Sequence, residues 1–402
     1  MKKIFSEEKY RLWALFAAAL ALRLAYVLHS GQENLSPDSY SWMDISSSLA
    51  EGRGFGGSWR PPGFAFFMAG IFILAGKSVL AVQVANCLLG SLTALFTVFT
   101  GTRLFGRAAG LLSGALVCFY PYLLAYTRDP ISETFLTFML SATILRLVIA
   151  AQQPSTRNYA LAGVLIGLTG LTKSTTLPFF LLACAWLWWQ TGKFRAGLYT
   201  GLCVLLVIAP WSLRNSIFYG KSYVMPVSTP WQSFYGASCD EALWQETAGS
   251  FDRPMDPKMT EPAAPKDWPY LTTLPVPERD RICREKATAW IKANPDKFYY
   301  LLYRRFLHFW RLYPMMAYKW QKYAAMATSG LYIPLAALGF ILSYREFKKT
   351  SLLAALFASY TLVHIFFVTT MRYRVPLDPY IMMLAAYAAV SGYERLKQAN
   401  GH

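Results

Sequence analysis

Residues 11–29, RLWALFAAALALRLAYVLH, form an apolar run of about 20 residues, the length that crosses a lipid bilayer. The polar segment Asn34-Leu35-Ser36-Pro37-Asp38-Ser39-Tyr40 follows this run. It places one carboxylate, Asp38, behind a proline and near an aromatic side chain. Ser and Asp are favoured N-caps, so either Ser36 or Asp38 is expected to cap the helix that follows. A chemical role for Asp38 depends on which other residues share its side of the membrane.

The composition is that of an integral membrane protein. Of the 402 residues, 55% are hydrophobic and only 15% are charged, whereas soluble domains carry about 25% charged residues. The net charge of +17 suggests nucleic acid as a partner. However, the basic residues mostly flank apolar runs, which favours contact with anionic lipid and a role in topology. We therefore expect membrane lipid, and no nucleic acid, as a partner.

About ten apolar runs are long enough to span a bilayer. They lie near residues 11–29, 80–102, 108–127, 131–150, 158–172, 174–190, 196–213, 325–343, 351–370 and 376–392. Two more runs are predicted not to cross. Residues 61–76 are few and begin with Pro-Pro-Gly, as in a re-entrant or interfacial helix. Residues 298–315 mix Arg and His with aromatics, as in an amphipathic surface helix.

The predicted fold is an all-α polytopic membrane protein with about ten transmembrane helices and interfacial helices in the first and the long outer loops. A cytoplasmic N-terminus puts most of the short basic connections on the cytoplasmic side. Residues 1–213 then form an N-terminal transmembrane module with a first outer loop at 30–79. Residues 214–324 form a long extracytoplasmic loop or lid with an interfacial helix, and residues 325–402 form C-terminal transmembrane helices. Cys239 and Cys283 lie in the long loop and are able to pair if it is extracytoplasmic.

Ionisable residues collect at the predicted outer ends of the spans, where Lys and Arg are normally scarce. A single Arg at such a position often reaches outward to lipid phosphate. A set of basic residues interleaved with acidic ones instead favours a shared site for an anionic substrate. Arg binds phosphate through a planar fork and Lys as a point charge. The set comprises Arg60, Arg128, Asp129, Glu133, Lys173, Arg214, Arg372 and Arg374.

Five short motifs contain most of these residues. They are Pro37-Asp38-Ser39-Tyr40, Trp59-Arg60-Pro61-Pro62-Gly63, Arg128-Asp129-Pro130 with Glu133, Ala209-Pro210-Trp211 with Arg214-Asn215, and Arg372-Tyr373-Arg374-Val375-Pro376. In order and spacing they resemble the C-type glycosyltransferase superfamily, which uses sugars linked to polyprenyl phosphate. Within it the sequence is most similar to bacterial relatives of protein O-mannosyltransferases and of lipid A aminoarabinose transferases. Two features depart from the pattern: Ser39 stands where relatives often have Glu, and a large C-terminal soluble domain is not found in these residues.

The resemblance implies an inverting glycosyltransferase, a hexosyl- or pentosyltransferase. It would move a monosaccharide from a polyprenyl-phosphate donor to an acceptor hydroxyl on the extracytoplasmic side. The resemblance also implies a catalytic role for Asp38, donor-phosphate binding by Arg60, and a second acidic site residue, either Asp129 or Glu133. The implied location is a bacterial inner membrane with the site facing the periplasm. The acceptor is a glycan, a lipid or a protein.

Residue chemistry extends this candidate site. Lys173, Arg214, Arg372 and Arg374 are further candidates for binding donor phosphate. Because Arg372 and Arg374 are two positions apart, they point differently on a helix, and one of them can serve structure only. Candidate acceptor or sugar contacts are Tyr40, Trp59, Arg128, Trp231 and Tyr235. The sequence has no carboxylate cage for a cation, so we expect no metal and no other cofactor.

A transporter or flippase for a lipid-linked sugar is the main alternative, because buried charges also mark transport pathways. Transporters often contain internal repeats and charges near the bilayer midplane. This sequence shows no repeat, and its charges gather at one predicted face. A non-enzymatic membrane scaffold is a third possibility, but it explains neither the Asp38 segment nor the Arg372 and Arg374 pair.

Overall fold

The computed structural model describes residues 2–57, 60–223, 226, 229–243, 265–312, 319–367 and 369–399. Within these ranges the regular structure is helical and contains no strand. The helices, numbered in chain order, are α1 (Lys2–Ser30), α2 (Pro37–Ala50), α3 (Pro62–Ala75), α4 (Val79–Phe105), α5 (Arg107–Phe119), α6 (Pro121–Ala125), α7 (Ser132–Gln152), α8 (Thr156–Thr172), α9 (Leu177–Thr191), α10 (Phe194–Tyr219), α11 (Pro230–Gly236), α12 (Trp268–Thr273), α13 (Val276–Ala293), α14 (Pro295–Phe309), α15 (Lys319–Leu342), α16 (Phe347–Phe366) and α17 (Asp378–Ala399). Short 3₁₀ segments occur at Ser174–Thr176, Ser343–Glu346 and Met371–Leu377.

The chain is an all-α, multi-pass membrane protein, as predicted. Among the described residues, five helical stretches are long and apolar enough to cross a bilayer: Lys9–Ser30, Val79–Phe105, Ser132–Gln152, Phe194–Tyr219 and Ala325–Phe366. The predicted number of ten spans is not confirmed and stays a prediction. Helix α3, in the run predicted not to cross, has 14 residues. At about 1.5 Å per residue it is shorter than the hydrocarbon core of a bilayer.

The predicted span at 108–127 is interrupted. Helix α5 ends at Phe119, and the short helix α6 begins at Pro121. Because proline has no N–H, it cannot bond to the carbonyl of Val117 as the next helical turn would. Arg23, which is fully buried in α1, donates to the carbonyls of Val117 over 3.3 Å and of Cys118 over 3.4 Å. Arg23, inside the first apolar helix, thus supplies the hydrogen bond to the Val117 carbonyl that Pro121 cannot donate.

The chain divides into two compact units. The first contains residues 1–208, 332–355 and 375–402. Helix α4 packs there against α1, α5, α7 and α17. Small residues allow the close approach: a Cβ added to Gly110 of α5 would lie 2.6 Å from the backbone nitrogen of Thr102 in α4. Helices α7 and α8 also pack together, and the Thr143 and Thr169 hydroxyls share a hydrogen bond of 2.9 Å.

The second unit contains residues 209–331 and 356–374. Its helices α11 and α13 pack together, and a hydrophobic core there is built from Tyr235, Cys239, Ala242, Leu271, Cys283 and Ala287. The Asp280 carboxylate accepts a hydrogen bond from the backbone N–H of Trp231 over 3.0 Å, at the start of α11, and burial raises the pKa of Asp280. Cys239 and Cys283 are free cysteines, and burial raises the pKa of each thiol to about 11. The predicted segment boundaries at 213 and 324 stay predictions.

Candidate functional site

Asp38 lies in the first turn of α2. Pro37 opens this helix, which suits a residue whose missing N–H would have no helical partner. Ser36 is the N-cap but makes no side-chain capping bond; its carbonyl accepts from the N–H of Ser39 over 2.8 Å. A carboxylate in the first turn is stabilised by the partial positive charge at the helix N-terminus. Asp38 is therefore held at the start of a helix, with its side chain 38% exposed.

Arg60 makes three contacts with α2. Its Nη2 donates to Oδ1 of Asp38 over 2.8 Å, and its Nε donates to Oγ of Ser41 over 3.2 Å. Its guanidinium lies 4.6 Å from the centre of the Trp42 ring, within the range of a cation–π interaction. The Arg60 side chain is only 8% exposed. The structure thus joins a buried guanidinium to a partly exposed carboxylate, the two residues that the sequence singles out first.

The segment after Arg60 packs α3 against both α2 and α8. The rings of Trp42 and Phe64 meet edge to face at 5.2 Å. Gly63 lies against the end of α8: an added Cβ would come within 2.8 Å of Thr172 Oγ1 and 2.9 Å of the Thr172 backbone nitrogen. Only a glycine permits this approach without displacing backbone. Arg60 and Phe64 thus contact α2, while Gly63 contacts Thr172, the residue that precedes Lys173.

Lys173 and Glu133 form an ion pair. Lys173 follows the last residue of α8, and its Nζ lies 3.6 Å from Oε1 of Glu133. Glu133 is in the first turn of α7, and its side chain is completely buried, whereas that of Lys173 is 18% exposed. A buried carboxylate is costly unless it is paired, which the lysine achieves here.

Arg128 and Asp129 contact the loop that leads to Asp38. The Arg128 guanidinium donates to the carbonyls of Glu33 and Asn34, the latter over 3.4 Å. Oδ1 of Asp129 accepts from the backbone N–H of Ser36 over 3.4 Å, and it lies 3.8 Å from Nη1 of Arg128. Asn34 has φ +53, a left-handed conformation that Asn adopts more readily than most residues. These contacts fix the first loop just before helix α2.

The first compact unit therefore contains one group of the predicted site residues: Asp38, Arg60, Arg128, Asp129, Glu133 and Lys173. Tyr40 lies on α2 and is 54% exposed. Trp59 lies outside the described residues. The remaining predicted site residues, Arg214, Trp231, Tyr235, Arg372 and Arg374, belong to the second unit.

Within the second unit, several predicted site residues make structural contacts. Nη1 of Arg374 donates to the carbonyls of Phe309 and Arg311, over 3.1 and 2.6 Å, at the end of α14. Tyr235 is buried in the hydrophobic core, where its hydroxyl donates to Asp267 over 3.0 Å. Arg214 lies over the Phe218 ring at 4.5 Å. The predicted substrate contacts of these residues stay predictions.

Two polar residues that the sequence analysis did not identify support the site. Gln83 and Asn86 are fully buried in α4, and both donate to carbonyls in the segment that carries Arg128 and Asp129. Hydropathy averaged over the apolar run at residues 80–102 does not reveal the two polar amides within it. Their spacing of one helical turn is the signal that would have found them.

Chemically, this group provides carboxylates and fixed cations at the ends of apolar helices. A partly exposed carboxylate can accept a proton, while Arg and Lys side chains can stabilise phosphate oxygens. Across the residues that the structure describes, no group of three or more His, Cys, Asp or Glu side chains could hold a metal ion. That a reaction here needs no metal stays a prediction.

The sequence model of the family Dolichyl-phosphate-mannose-protein mannosyltransferase matches residues 59–213. This range includes Arg60, Asp129, Glu133 and Lys173, whereas Asp38 lies outside it. None of the curated proteins matches the sequence.

Among solved structures, the oligosaccharyltransferase of Archaeoglobus fulgidus in its apo form aligns with 98% of this chain and 51% of its own, at 11% identity and a TM-score of 0.59. The archaeal oligosaccharyltransferase AglB from Archaeoglobus fulgidus, in complex with an inhibitory peptide and a dolichol-phosphate, aligns with a TM-score of 0.58, at 11% identity, over 98% of this chain and 52% of its own. The present chain thus spans about half the length of these proteins. At this identity, the similarity shows the fold.

ArnT from Cupriavidus metallidurans, bound to undecaprenyl phosphate, aligns more weakly, with a TM-score of 0.44 and 15% identity over 92% of this chain and 77% of its own. The fold assignment therefore rests on AglB. The matches to mannosyltransferase and oligosaccharyltransferase confirm the predicted resemblance to C-type glycosyltransferases.

Proposed function

We propose that this protein is an inverting glycosyltransferase that moves a monosaccharide from a polyprenyl-phosphate donor to an acceptor hydroxyl at the extracytoplasmic face of the membrane. The observation that carries the proposal is the contact between Asp38 and Arg60. A carboxylate 38% exposed at a helix N-terminus is held over 2.8 Å by a guanidinium whose side chain is 8% exposed. We assign Asp38 as the proton acceptor and Arg60 as a ligand of the donor phosphate, so the two groups that the reaction needs belong to one site.

The comparisons support the same class of reaction. The matched family is described by its use of dolichyl-phosphate-mannose, and residues 59–213 include Arg60 and Lys173. The AglB structure contains a dolichol-phosphate and a peptide. A lipid phosphate is therefore the donor chemistry that we assign to the cations of this chain.

In the proposed reaction the acceptor oxygen attacks the anomeric carbon of the donor sugar. The bond between this carbon and the phosphate oxygen breaks, and the lipid phosphate leaves from the opposite face with the bonding electrons. The proton of the acceptor hydroxyl passes to the Asp38 carboxylate. Arg60 and Lys173 stabilise the negative charge that develops on the phosphate. Arg214, Arg372 and Arg374 stay predicted phosphate ligands.

Between the two candidates for the second acidic residue, we favour Asp129. Its side chain is 22% exposed and is bonded to the loop that precedes Asp38, whereas the Glu133 side chain is completely buried beside Lys173. We assign Asp129 to the substrate side of the site and Glu133 to holding Lys173 in place. Arg128, which is bonded to the Glu33 and Asn34 carbonyls, is assigned to ordering the first loop rather than to binding the sugar.

The proposed location is the inner membrane of a bacterium, with the site facing the periplasm, because the basic connections then face the cytoplasm. A glycan, a lipid or a protein supplies the hydroxyl. The proposed transfer is of a hexose or a pentose.

A transfer assay with purified protein, radiolabelled polyprenyl-phosphate sugars and a membrane extract tests this function. We expect Asp38→Asn to abolish transfer, because it removes the proton acceptor. We expect the protein to stay folded, because the amide oxygen of Asn can still accept the hydrogen bond from Arg60. The matched control is Asp44→Asn, which neutralises an exposed carboxylate on the same helix. Normal turnover by Asp38→Asn would refute the catalytic assignment.

An assay with the protein in sealed vesicles distinguishes a transferase from a transporter. In sealed vesicles, a transferase converts the labelled donor to a new product. A flippase moves the donor across the bilayer without changing it, and that result would replace our proposal.

A further inference from the structure

The backbone between α6 and α7, residues 126–131, leaves the regular helical pattern and carries two charged residues of the candidate site, Arg128 and Asp129. In this segment the N–H of Arg128 bonds to the Ala125 carbonyl over 3.2 Å, and that of Ile131 to the Asp129 carbonyl over 2.8 Å. Thr127 and Ile131 are buried. Buried carbonyls need hydrogen-bond donors, because a buried polar group without a partner costs free energy. The groups that donate to these carbonyls therefore determine how residues 126–131 are held.

Gln83 and Asn86, one turn apart on α4, supply them. Gln83 Nε2 donates to the carbonyl of Arg128 over 2.8 Å. Asn86 Nδ2 donates to the carbonyls of Thr127, over 3.4 Å, and of Asp129, over 3.3 Å. Two adjacent side chains therefore hold three consecutive carbonyls.

Both amides are fully buried, and only their donor halves are used. Within the described part of the chain, no other protein group donates to Oε1 of Gln83 or Oδ1 of Asn86. The contacts of these two side chains with residues 127–129 are therefore made through their N–H groups.

The held segment in turn holds the first loop. Asp129 accepts from the N–H of Ser36, and Arg128 donates to the carbonyl of Asn34. Ser36 is the N-cap of α2, whose first turn contains Asp38. A continuous set of contacts thus runs from α4 through residues 127–129 to the helix that presents the carboxylate.

We infer that Gln83 and Asn86 are positioning residues for the proposed transfer reaction: they fix the backbone at residues 127–129 and, through it, the placement of Asp129 and of the Asp38 helix. This inference rests on the proposed function for its catalytic consequence. The structural part can be tested independently of any activity.

The first test compares Asn86→Leu and Gln83→Met with the wild-type protein by hydrogen–deuterium exchange in detergent. Each variant keeps a side chain of similar length and removes the donors. We expect the amides of Arg128 and Ile131 to exchange faster in both variants. Ser91→Ala is the matched control. Ser91 is equally buried on α4, but its hydroxyl bonds only within its own helix, to the Cys87 carbonyl. If exchange in residues 126–131 is no faster than in Ser91→Ala, the inference is wrong.

The second test is kinetic. Misplacing a catalytic group by about 1 Å can reduce the rate roughly 100-fold. We expect kcat to fall by up to this factor in Asn86→Leu, and less in Gln83→Met, which loses one hydrogen bond rather than two. KM for the polyprenyl-phosphate sugar should change less than kcat. An equal loss of kcat in Ser91→Ala would refute the inference.

The two hypotheses fail separately. Normal turnover by Asp38→Asn would refute the proposed function, while the exchange result would still decide whether Gln83 and Asn86 hold the segment. Unchanged exchange would refute the positioning role even if Asp38→Asn were inactive. If Asn86→Leu does not fold, Gln83→Met alone tests the inference. It is the milder change, because it removes a single hydrogen bond.

Discussion

Nη2 of Arg60 donates to Oδ1 of Asp38 over 2.8 Å, although the two residues are 22 positions apart in the sequence. The guanidinium also bonds to Ser41 and lies over Trp42, so its position is determined by three neighbouring groups on α2. A single cation thus orients the carboxylate and presents positive charge beside it.

We predict that Arg60→Gln lowers kcat by roughly 10²–10³, as removal of one donor from an oxyanion site does. Gln has no charge and cannot reproduce the planar fork of Arg. The measurement is transfer from a labelled lipid-linked sugar. The control is Arg53→Gln, since Arg53 is paired with Glu51 but its side chain is 64% exposed. Equal activity of the two variants would contradict a role for Arg60.

Gly63→Ala should destabilise the protein and reduce activity together. The added Cβ would lie 2.8 Å from Thr172 Oγ1 and 3.0 Å from the Leu171 carbonyl carbon, so α3 and α8 must separate. Overpacking of this kind costs about 1–3 kcal/mol. Thermal unfolding in detergent measures the loss.

Gly70→Ala is the matched variant on the same helix, because a Cβ there has nothing within 4 Å. Ala is favoured over Gly inside a helix by up to about 1 kcal/mol. We expect this variant to be as stable as the wild type or slightly more stable. A loss similar to that of Gly63→Ala would show that contact with α8 is not the cause.

Arg23→Leu should lower stability, because the carbonyls of Val117 and Cys118 then lose their donor beside Pro121. Each buried polar group left without a partner costs about 1–3 kcal/mol. The midpoint of unfolding by denaturant reports the change. Arg11→Leu, on the same helix but at an exposed position, should have little effect. A smaller loss for Arg23→Leu than for Arg11→Leu would contradict the compensation for Pro121.

The second unit should become less stable in acid because the Asp267 carboxylate is then protonated. Burial alone would raise the pKa of Asp267, but hydrogen bonds from Lys286 and Tyr235 lower it below the ordinary value of 3.8. The stabilisation is therefore complete above pH 3.8 and is lost as the pH falls through the lower pKa of the folded state.

Asp267→Asn should remove this part of the acid dependence in a tryptophan-fluorescence titration. Asp280, whose raised pKa makes the opposite contribution to the pH dependence of stability, is present in both the variant and the wild-type protein. Asp296→Asn alters an exposed carboxylate and should keep the wild-type acid dependence. An unchanged profile for Asp267→Asn would refute the prediction.

Apolar runs and the placement of charges predicted the fold class and the collection of Asp38 and Arg60 at one face, but not their direct contact. Both follow from local rules: spans need apolar runs, and charges near membranes need partners. The interruption at Pro121 was not predicted, because an average over 108–127 stays apolar across a proline. Its compensation by Arg23 involves a helix distant in sequence.

The interior of the long polar loop was also beyond sequence reasoning. Trp231 and Tyr235 suggested stacking on a sugar, yet Tyr235 is buried in a core that also contains Leu271 and Cys283. Aromatic side chains serve binding sites and cores equally well, and only long-range contacts distinguish the two. Gln83 and Asn86 were missed for a related reason: their partners lie in another segment.

The unequal exposure of Asp38 and Glu133 gives the two carboxyl groups different chemical reactivity. A water-soluble carbodiimide with an amine nucleophile reaches the Asp38 side chain, which is 38% exposed, but not the Glu133 side chain, which is completely buried. Brief treatment should therefore form an amide at Asp38 before it does so at Glu133. A donor analogue bound in the site should slow that labelling, which makes this carboxylate a covalent reporter of site occupancy and an anchor for irreversible inhibitors.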